Sequence, residues 1–273
     1  MTISNIAPYS VAVICMFSIH AMTFGEDMTE KGSLVGKVLA NFEPVGQTIE
    51  VLADTNVLGQ RIPDDSLLVN KNNKGIANVV IWMRPLELKE DDPRLSKDVA
   101  KKQCTIEIDK GHFRPHIAVV KAGSTLSFSV KDGLSYIPDL FPLRDQKWIS
   151  EVSATNIMNR KFVVSEPMPV RVECGRHPGL GSWVIVSDHD FIAVSGENGA
   201  FALENIPTGE WEWVLWHERS GIIQEAVIDG KSEKWPKHGR KVRIENGNNS
   251  FGEVLLKRDQ IEPKQAAKEG EKK

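Results

Sequence analysis

Short segments in which apolar and polar residues alternate run through most of this chain of 273 residues. Alternation with a period of two is typical of a β-strand with one buried face, and no long segment shows the 3.6-residue period of an amphipathic helix. Turn sequences separate the segments, among them Asp132-Gly133, Asn198-Gly199 and Pro207-Thr-Gly209. Such turns join short strands to one another. The pattern therefore predicts an all-β fold of the sandwich type.

The predicted strands are short and are spread over the whole chain. In order they are Leu34–Leu39, Gln47–Leu52, Ala77–Met83, Cys104–Ile108, His116–Val120, Thr125–Val130, Lys161–Val164, Val170–Glu173, Trp183–Ser187, Ile192–Ser195, Ala200–Glu204, Glu210–His217, Gln224–Ile228, Lys241–Ile244 and Glu253–Lys257. No strand is predicted between Val130 and Lys161. The segment 87–102 is charged, contains Pro93, and is predicted to be a loop or a short helix.

Composition and charge place the chain among ordinary globular proteins. Hydrophobic residues make up 41% and charged residues 26%, and the formal net charge is −3. No basic field is present that would attract the phosphates of a nucleic acid, so nucleic acid is not an expected partner. The length suits one or two domains.

The N-terminal residues 1–25 are predicted to be a signal peptide. Ile6 to Phe24 is largely apolar, and polar sequence follows from Glu26. Thr23 and Gly25 supply small residues at the −3 and −1 positions of a cleavage site. The expected location is therefore periplasmic or extracellular. An uncleaved anchor is the alternative, and contact with a membrane is expected only in that case.

The segment Cys174-Gly-Arg-His177-Pro-Gly-Leu180 carries the strongest chemical signal. A thiolate and an imidazole three residues apart, directly after a strand, resemble the ligand loop of blue-copper proteins. Such sites use two His and one Cys, usually with a weak axial Met. In an exported protein Cys174 could instead form a disulfide with Cys104. The two interpretations exclude each other, and free thiols are slightly favoured.

The middle of the chain, residues 103–188, resembles the cupredoxins. The resemblance rests on Phe113 to Asp132, which has the form of two strands and a turn leading to the first ligand loop, and on the Cys174 loop. It is closest to secreted plastocyanin-like proteins often labelled methylamine-utilisation proteins. The resemblance implies a Greek-key sandwich with a copper site of which Cys174 and His177 are ligands. The family's first-loop His falls on Tyr136 and its axial Met on Leu180, so the metal site is predicted to be vestigial.

The later segment resembles carboxypeptidase regulatory-like (transthyretin-like) domains. The hairpin at Asn198-Gly199, the strand around Phe201 and the Pro207-Thr-Gly209 turn occur in that family's order. The opening strands expected of such a domain lie much earlier, near Val38 and Val80. The resemblance therefore implies a discontinuous β-sandwich of residues 32–88 and 189–258, with the cupredoxin-like unit inserted. Residues 259–273 are predicted to be a disordered charged tail.

Other polar residues have structural explanations. His112 and His116 are interpreted as strand-edge residues, with a swing toward the copper site as the alternative. The alternation in the Trp-rich strand puts Trp211, Trp213 and Leu215 on one face, which predicts core packing. No motif places a nucleophile or a second carboxylate near Glu218.

The predicted function is that of an exported, non-enzymatic binding or structural protein with a degenerate type 1 copper site. The expected partner is an extracytoplasmic protein or glycan, contacted through sandwich edges or the Trp-rich strand, and no cofactor is expected. The alternative is a copper-binding electron carrier that uses Cys174 and His177 with a non-standard ligand set.

Overall fold

The computed structural model describes residues 30–43, 48–50, 61–86 and 103–262. Strands account for nearly all of the regular structure in these residues, which confirms the all-β prediction. No helix in these ranges is long and apolar enough to span a bilayer. The predicted signal peptide and the segment 87–102 lie outside the described residues.

The structure has 23 strands and one short helix in the described ranges. In chain order they are β1 (Lys31–Ala40), β2 (Thr48–Glu50), β3 (Arg61–Pro63), β4 (Val80–Pro85), β5 (Cys104–Asp109), β6 (His112–Arg114), β7 (Ile117–Lys121), β8 (Thr125–Val130), β9 (Ser135–Tyr136), β10 (Pro138–Phe141), β11 (Trp148–Ile149), β12 (Val152–Ser153), β13 (Met158–Lys161), β14 (Val170–Cys174), β15 (Gly181–Ser187), β16 (Ile192–Val194), β17 (Ala200–Pro207), β18 (Gly209–His217), β19 (Gly221–Ile223), β20 (Glu225–Ile228), β21 (Lys231–Lys234), β22 (Arg240–Ile244), β23 (Gly247–Leu256) and α1 (Arg258–Ile261).

One sandwich, here called the outer sandwich, combines strands from both ends of the described chain. Its first sheet has the order β17-β1-β23-β20-β21, and its second has β16-β4-β18-β19 with β22 also paired to β18. Strand β1 runs antiparallel to β17 and parallel to β23. Trp211, Trp213 and Leu215 share the buried core between these sheets, as the alternation predicted, and Ile81 and Phe201 join them there.

The other sandwich, here called the inner sandwich, contains β5 to β15. Its sheets have the orders β11-β10-β14-β15-β7 and β13-β8-β5-β6, and β9 pairs with β12 beside them. Ile106 and Ile108 point inward from β5 while Thr105 and Glu107 point outward, which is the period-two pattern of the sequence. These inward residues enter a separate apolar core that includes Phe128.

A third apolar cluster joins the two sandwiches. Val80, Trp82, Val214 and Trp216 come from the outer sandwich, and Ile117 and Ile185 come from the inner one. The ring centroids of Trp183 and Trp216 lie 4.9 Å apart. Strand β18 is thus buried on both faces, with Trp211, Trp213 and Trp216 no more than 4% exposed. The prediction that the Trp-rich strand offers a contact surface is wrong, because the inner sandwich covers its second face.

The predicted tail also begins too early. Asp259 and Gln260 belong to helix α1, and Ile261 is fully buried in the core of the outer sandwich. A single apolar residue in a polar sequence was too weak a signal to predict this docking. Residues 263–273 lie outside the described residues.

Candidate functional site

Cys174 reaches the inner core because it ends a strand of strict alternation. In β14, Val170, Val172 and Cys174 are buried, while Arg171 is exposed and Glu173 half-buried. Successive side chains of a strand point to opposite faces, so the sulfur lies on the core side. Cys174 and Cys104 are both free thiols in the structure, so no disulfide joins them.

The loop after β14 folds back and brings His177 onto the sulfur. The backbone N–H of Cys174 donates to the carbonyl of Leu180 at 2.9 Å, and the N–H of Leu180 donates to the carbonyl of His177 at 3.2 Å. His177 is 2% exposed. Its Nδ1 lies 3.5 Å from Cys174 Sγ. Two such ligands of one tetrahedral metal ion stand about 3.5 Å apart, given metal–sulfur and metal–nitrogen bonds of about 2.3 and 2.0 Å.

Tyr136 occupies the position of the expected second imidazole, and its hydroxyl has two partners. The O–H donates to Asp132 Oδ2 at 2.6 Å and accepts the backbone N–H of Gly111 at 3.0 Å. The ring centroids of Tyr136 and His177 are 5.1 Å apart, so the side chain stands beside the Cys174 loop. These two hydrogen bonds hold the hydroxyl oxygen at the turn around Gly111.

Asp132 ties the two loops of this end together. Its Oδ2 accepts the N–H of Lys110 at 2.5 Å in addition to the Tyr136 hydroxyl, and its Oδ1 accepts the N–H of Leu134 at 2.9 Å. The sequence marked Asp132-Gly133 only as a turn. In the structure, the Asp132 carboxylate also sets the orientation of the Tyr136 side chain by accepting a hydrogen bond from its hydroxyl.

Tyr136 is held as a neutral phenol. Burial raises its pKa, and the hydrogen bond to Asp132 and that group's negative charge raise it further. A phenol that keeps its proton and donates it to a carboxylate is a poor metal ligand at neutral pH. The residues present therefore do not fit the two-His, one-Cys set of a type 1 copper site.

Apolar side chains pack beside the Cys174 loop. Leu180 is 4% exposed and has no donor atom. A Cβ built on Gly111 would lie 3.1 Å from both Ile62 Cδ1 and Leu180 Cδ1, so these side chains pack over the glycine. Among the described residues no group of three or more His, Cys, Asp or Glu side chains is arranged to hold a metal ion.

His112 and His116 bond to acidic side chains instead of turning toward Cys174. His112 Nδ1 lies 2.6 Å from Asp65 Oδ2, and His116 Nε2 bonds to Glu218 Oε1. These partners are 47 and 102 residues away along the chain. Sequence reasoning missed both pairings because no local pattern connects partners at that distance.

The comparisons with known proteins add distant structural neighbours. No protein-family model matches the sequence, and no curated protein matches it. A reduced amicyanin variant is 15% identical, and the match covers 33% of this chain and 86% of the amicyanin chain with a TM-score of 0.28. A purple cupredoxin from Nitrosopumilus maritimus is 14% identical and is covered over 99% of its length, against 31% of this chain, with a TM-score of 0.27.

A copper-containing nitrite reductase from Thermus scotoductus is 12% identical. That match covers 32% of this chain and 23% of the reductase chain, with a TM-score of 0.29. By their own descriptions, one of these neighbours is a cupredoxin and another contains copper.

Proposed function

We propose that this chain is an exported, non-enzymatic binding or structural protein whose cupredoxin-like inner sandwich carries a degenerate type 1 copper site. The observation that supports this most directly is that the Tyr136 hydroxyl forms hydrogen bonds with both Asp132 and the backbone N–H of Gly111. Two hydrogen bonds and a retained proton leave the site with one thiol and one imidazole. Leu180 adds no donor on the axial side.

The chain is exported and is built from two modules. Residues 32–88 and 189–258 form the carboxypeptidase regulatory-like module, residues 103–188 form the inserted module, and residues 1–25 are removed on export. The partner is an extracytoplasmic protein or glycan. N-terminal sequencing of the protein from its native host should give a first residue near Glu26. Recovery of intact Met1 from the cytosol would contradict the export proposal.

The test of the degenerate site is a titration of the full-length protein with Cu(II), followed by visible absorption and metal analysis. We expect no intense thiolate-to-copper absorption and less than one copper per chain after dialysis. The Cys174→Ser variant is the matched control, because it removes the only thiol placed beside His177 in the described residues. An intense visible band that Cys174→Ser abolishes would overturn the proposal.

A second candidate function is a copper-binding electron carrier with a non-standard ligand set. The specific observation in its favour is the 3.5 Å between Cys174 Sγ and His177 Nδ1, which is the spacing of two ligands on one ion. The same spacing also suits a weak hydrogen bond between thiol and imidazole. The copper titration separates the two functions, since only a carrier would hold the metal through dialysis.

A further inference from the structure

A cleft of about 650 Å³ opens where the two sandwiches meet, next to the Cys174 loop. The inner sandwich supplies His112, His116 and Trp183, and the outer sandwich supplies Glu218 and Arg219. The segment around Asp64 to Ser66 closes a third side. Clefts of this size between two structural units are common sites for small ligands or single side chains.

His116 lines this cleft and is held by a carboxylate of the outer sandwich. Its Nε2 bonds to Glu218 Oε1, and the other oxygen of Glu218 accepts the indole N–H of Trp183 at 3.0 Å. The His116 and Glu218 side chains are 9% and 11% exposed. Because a carboxylate only accepts hydrogen bonds, the Nε2 of His116 carries a proton, and in the neutral ring its Nδ1 is then an acceptor. That Nδ1 has no hydrogen-bond partner among the described residues.

His112, in the same lining, repeats the pairing of an imidazole with a carboxylate. Its Nδ1 lies 2.6 Å from Asp65 Oδ2, and the two side chains are 20% and 14% exposed. Arg114, which is mostly exposed, approaches Asp65 only to 3.9 Å. With Nδ1 donating to the carboxylate, the Nε2 of a neutral His112 is also an acceptor. A neutral His112 therefore keeps one acceptor nitrogen for a ligand, whereas the Nδ1 of His116 is buried.

The net charge of the side chains that line the cleft is negative when the imidazoles are neutral. The lining holds the carboxylates of Asp64, Asp65, Glu173 and Glu218 against the guanidinium groups of Arg171 and Arg219. With neutral imidazoles this leaves two formal negative charges. Both guanidinium groups are already in ion pairs, Arg219 with Asp64 at 2.7 Å and with Glu262 at 2.6 Å, and Arg171 with Glu173 at 2.7 Å. An anionic ligand would find acceptors where it needs donors.

We propose that this cleft binds an organic cation and that a guanidinium group is the best fit. A guanidinium offers several N–H donors in one plane, which suits the carboxylates of Asp65 and Glu218 and the acceptor nitrogen of a neutral His112. Its flat face also packs favourably on an indole such as that of Trp183. The inference gives the proposed binding function a ligand class and rests on that function. It does not depend on whether Cys174 binds copper.

The test is calorimetric titration of the full-length protein with three probes. They are a short capped peptide with one Arg, the same peptide with citrulline in place of Arg, and free agmatine. Citrulline keeps the shape of Arg without its charge, so we expect the Arg peptide to bind at least tenfold more tightly than the citrulline peptide. Agmatine binding as tightly as the Arg peptide would identify a free small molecule as the ligand. Much weaker agmatine binding would identify an Arg side chain of a partner protein.

Variants assign the binding to the cleft. Glu218→Gln and Asp65→Asn each remove one negative charge with little change of shape, and each should weaken binding of the Arg peptide about tenfold or more. Glu197→Gln removes an exposed carboxylate outside the cleft lining and should leave binding unchanged. Circular dichroism checks that each variant is folded. If Glu218→Gln does not fold, Asp65→Asn still tests the role of the cleft carboxylates.

Three results would overturn the inference. They are no binding of any cationic probe at millimolar concentration, equal binding of the citrulline peptide, and equal weakening by Glu197→Gln. A copper titration that contradicts the degenerate site leaves these outcomes unaffected, so the failure of one proposal is distinguishable from the failure of the other.

Discussion

The hydroxyl of Tyr136 lies 2.6 Å from Asp132 Oδ2, and this hydrogen bond turns the phenol oxygen toward the Gly111 turn. The ring nevertheless stays beside His177, with 5.1 Å between the ring centroids. The imidazole of a histidine at position 136 would therefore lie close to both Cys174 and His177. Residue 136 is thus the position from which a third ligand could join Cys174 and His177.

Restoring that ligand should restore copper binding. The double variant Tyr136→His, Leu180→Met completes a set of two His, one Cys and an axial Met. We expect it to bind one Cu(II) per chain with an intense visible absorption. The control is Tyr136→Phe, Leu180→Met, which makes the same axial change without the imidazole. A colourless, copper-free Tyr136→His, Leu180→Met protein would show that the loop after Asp132 holds residue 136 out of reach of the metal.

Removing only the Tyr136 hydroxyl should destabilise the protein. In Tyr136→Phe the buried N–H of Gly111 and the carboxylate of Asp132 each lose a partner, which costs about 1–3 kcal/mol. Urea unfolding at neutral pH measures the change in the free energy of unfolding. Leu143→Ala is the control, because Leu143 is 70% exposed and its truncation should have little effect.

From the raised pKa of Tyr136 we expect the protein to lose stability at alkaline pH. The pKa of Tyr136 is raised above its ordinary value by burial and by Asp132, so the folded state holds this proton more tightly than the unfolded chain does. The contribution is complete below about pH 10, where an unfolded Tyr keeps its proton, and is lost as the pH rises from there toward the folded pKa. Wild type should therefore lose stability more steeply than Tyr136→Phe above about pH 10. Parallel slopes for the two proteins would contradict this.

His217 predicts a second pH dependence, on the acid side. Burial, with a smaller contribution from the charge of Arg219, lowers the pKa of His217 to about 3. The unfolded chain takes up this proton near pH 6.5, so the contribution is present above that pH and is lost as the pH falls toward 3. At about 1.4 kcal/mol per pKa unit the loss amounts to several kcal/mol.

Urea unfolding at a series of pH values between 7 and 4 measures this loss. His217→Gln should flatten the dependence of the free energy of unfolding on pH. His238→Gln should leave it unchanged, because the His238 side chain is 59% exposed. A wild-type slope that survives in His217→Gln would assign the acid sensitivity to other groups.

The buried carboxylate of Glu166 predicts a local effect. Its two oxygens accept the backbone N–H groups of Leu143, Arg144 and Asp145 at 2.8–3.0 Å, and it is 2% exposed. Glu166→Gln turns part of this acceptor into a donor that faces other donors. We expect a loss of about 1–3 kcal/mol in the free energy of unfolding and faster tryptic cleavage after Arg144.

Mass spectrometry of a limited tryptic digest identifies the cleaved bond. Glu151→Gln is the control, because the Glu151 side chain is 58% exposed and should contribute little. Cleavage after Arg144 at the wild-type rate in Glu166→Gln would show that the loop is held by other contacts.

Alternation was a good guide wherever one face of a strand meets a core. Strand β14 shows why, because Val170, Val172 and Cys174 point inward in turn and the pattern is visible in the sequence alone. The short strands β9 to β12, between Val130 and Lys161, were not predicted. Phe141 of β10 and Ile149 of β11 are exposed, so apolar residues there do not mark the buried face. Pairing of β10 with β14 defines that region, and such pairing depends on residues far along the chain.

The candidate site could also be predicted only in part from the sequence. The spacing of Cys174 and His177 within one loop was enough to predict that they lie together, and the structure brings them to 3.5 Å. The role of Asp132 could not be read from the sequence, because its partners Lys110 and Gly111 belong to another turn. Likewise, nothing near His116 points to Glu218, since the contact exists only once the two sandwiches have packed.

The parallel pairing of β1 with β23 determines how the molecule bears a load. Nine residues of β1, from Gly32 to Ala40, pair with β23 in a ladder that has one shift of register between Val35 and Gly36. Because the strands are parallel, a force that pulls the two ends of the chain apart acts along this ladder in shear. Its hydrogen bonds must then break together instead of one at a time. An outer sandwich closed in this way resists stretching from its ends, and the inner sandwich is shielded from the force until that ladder gives way.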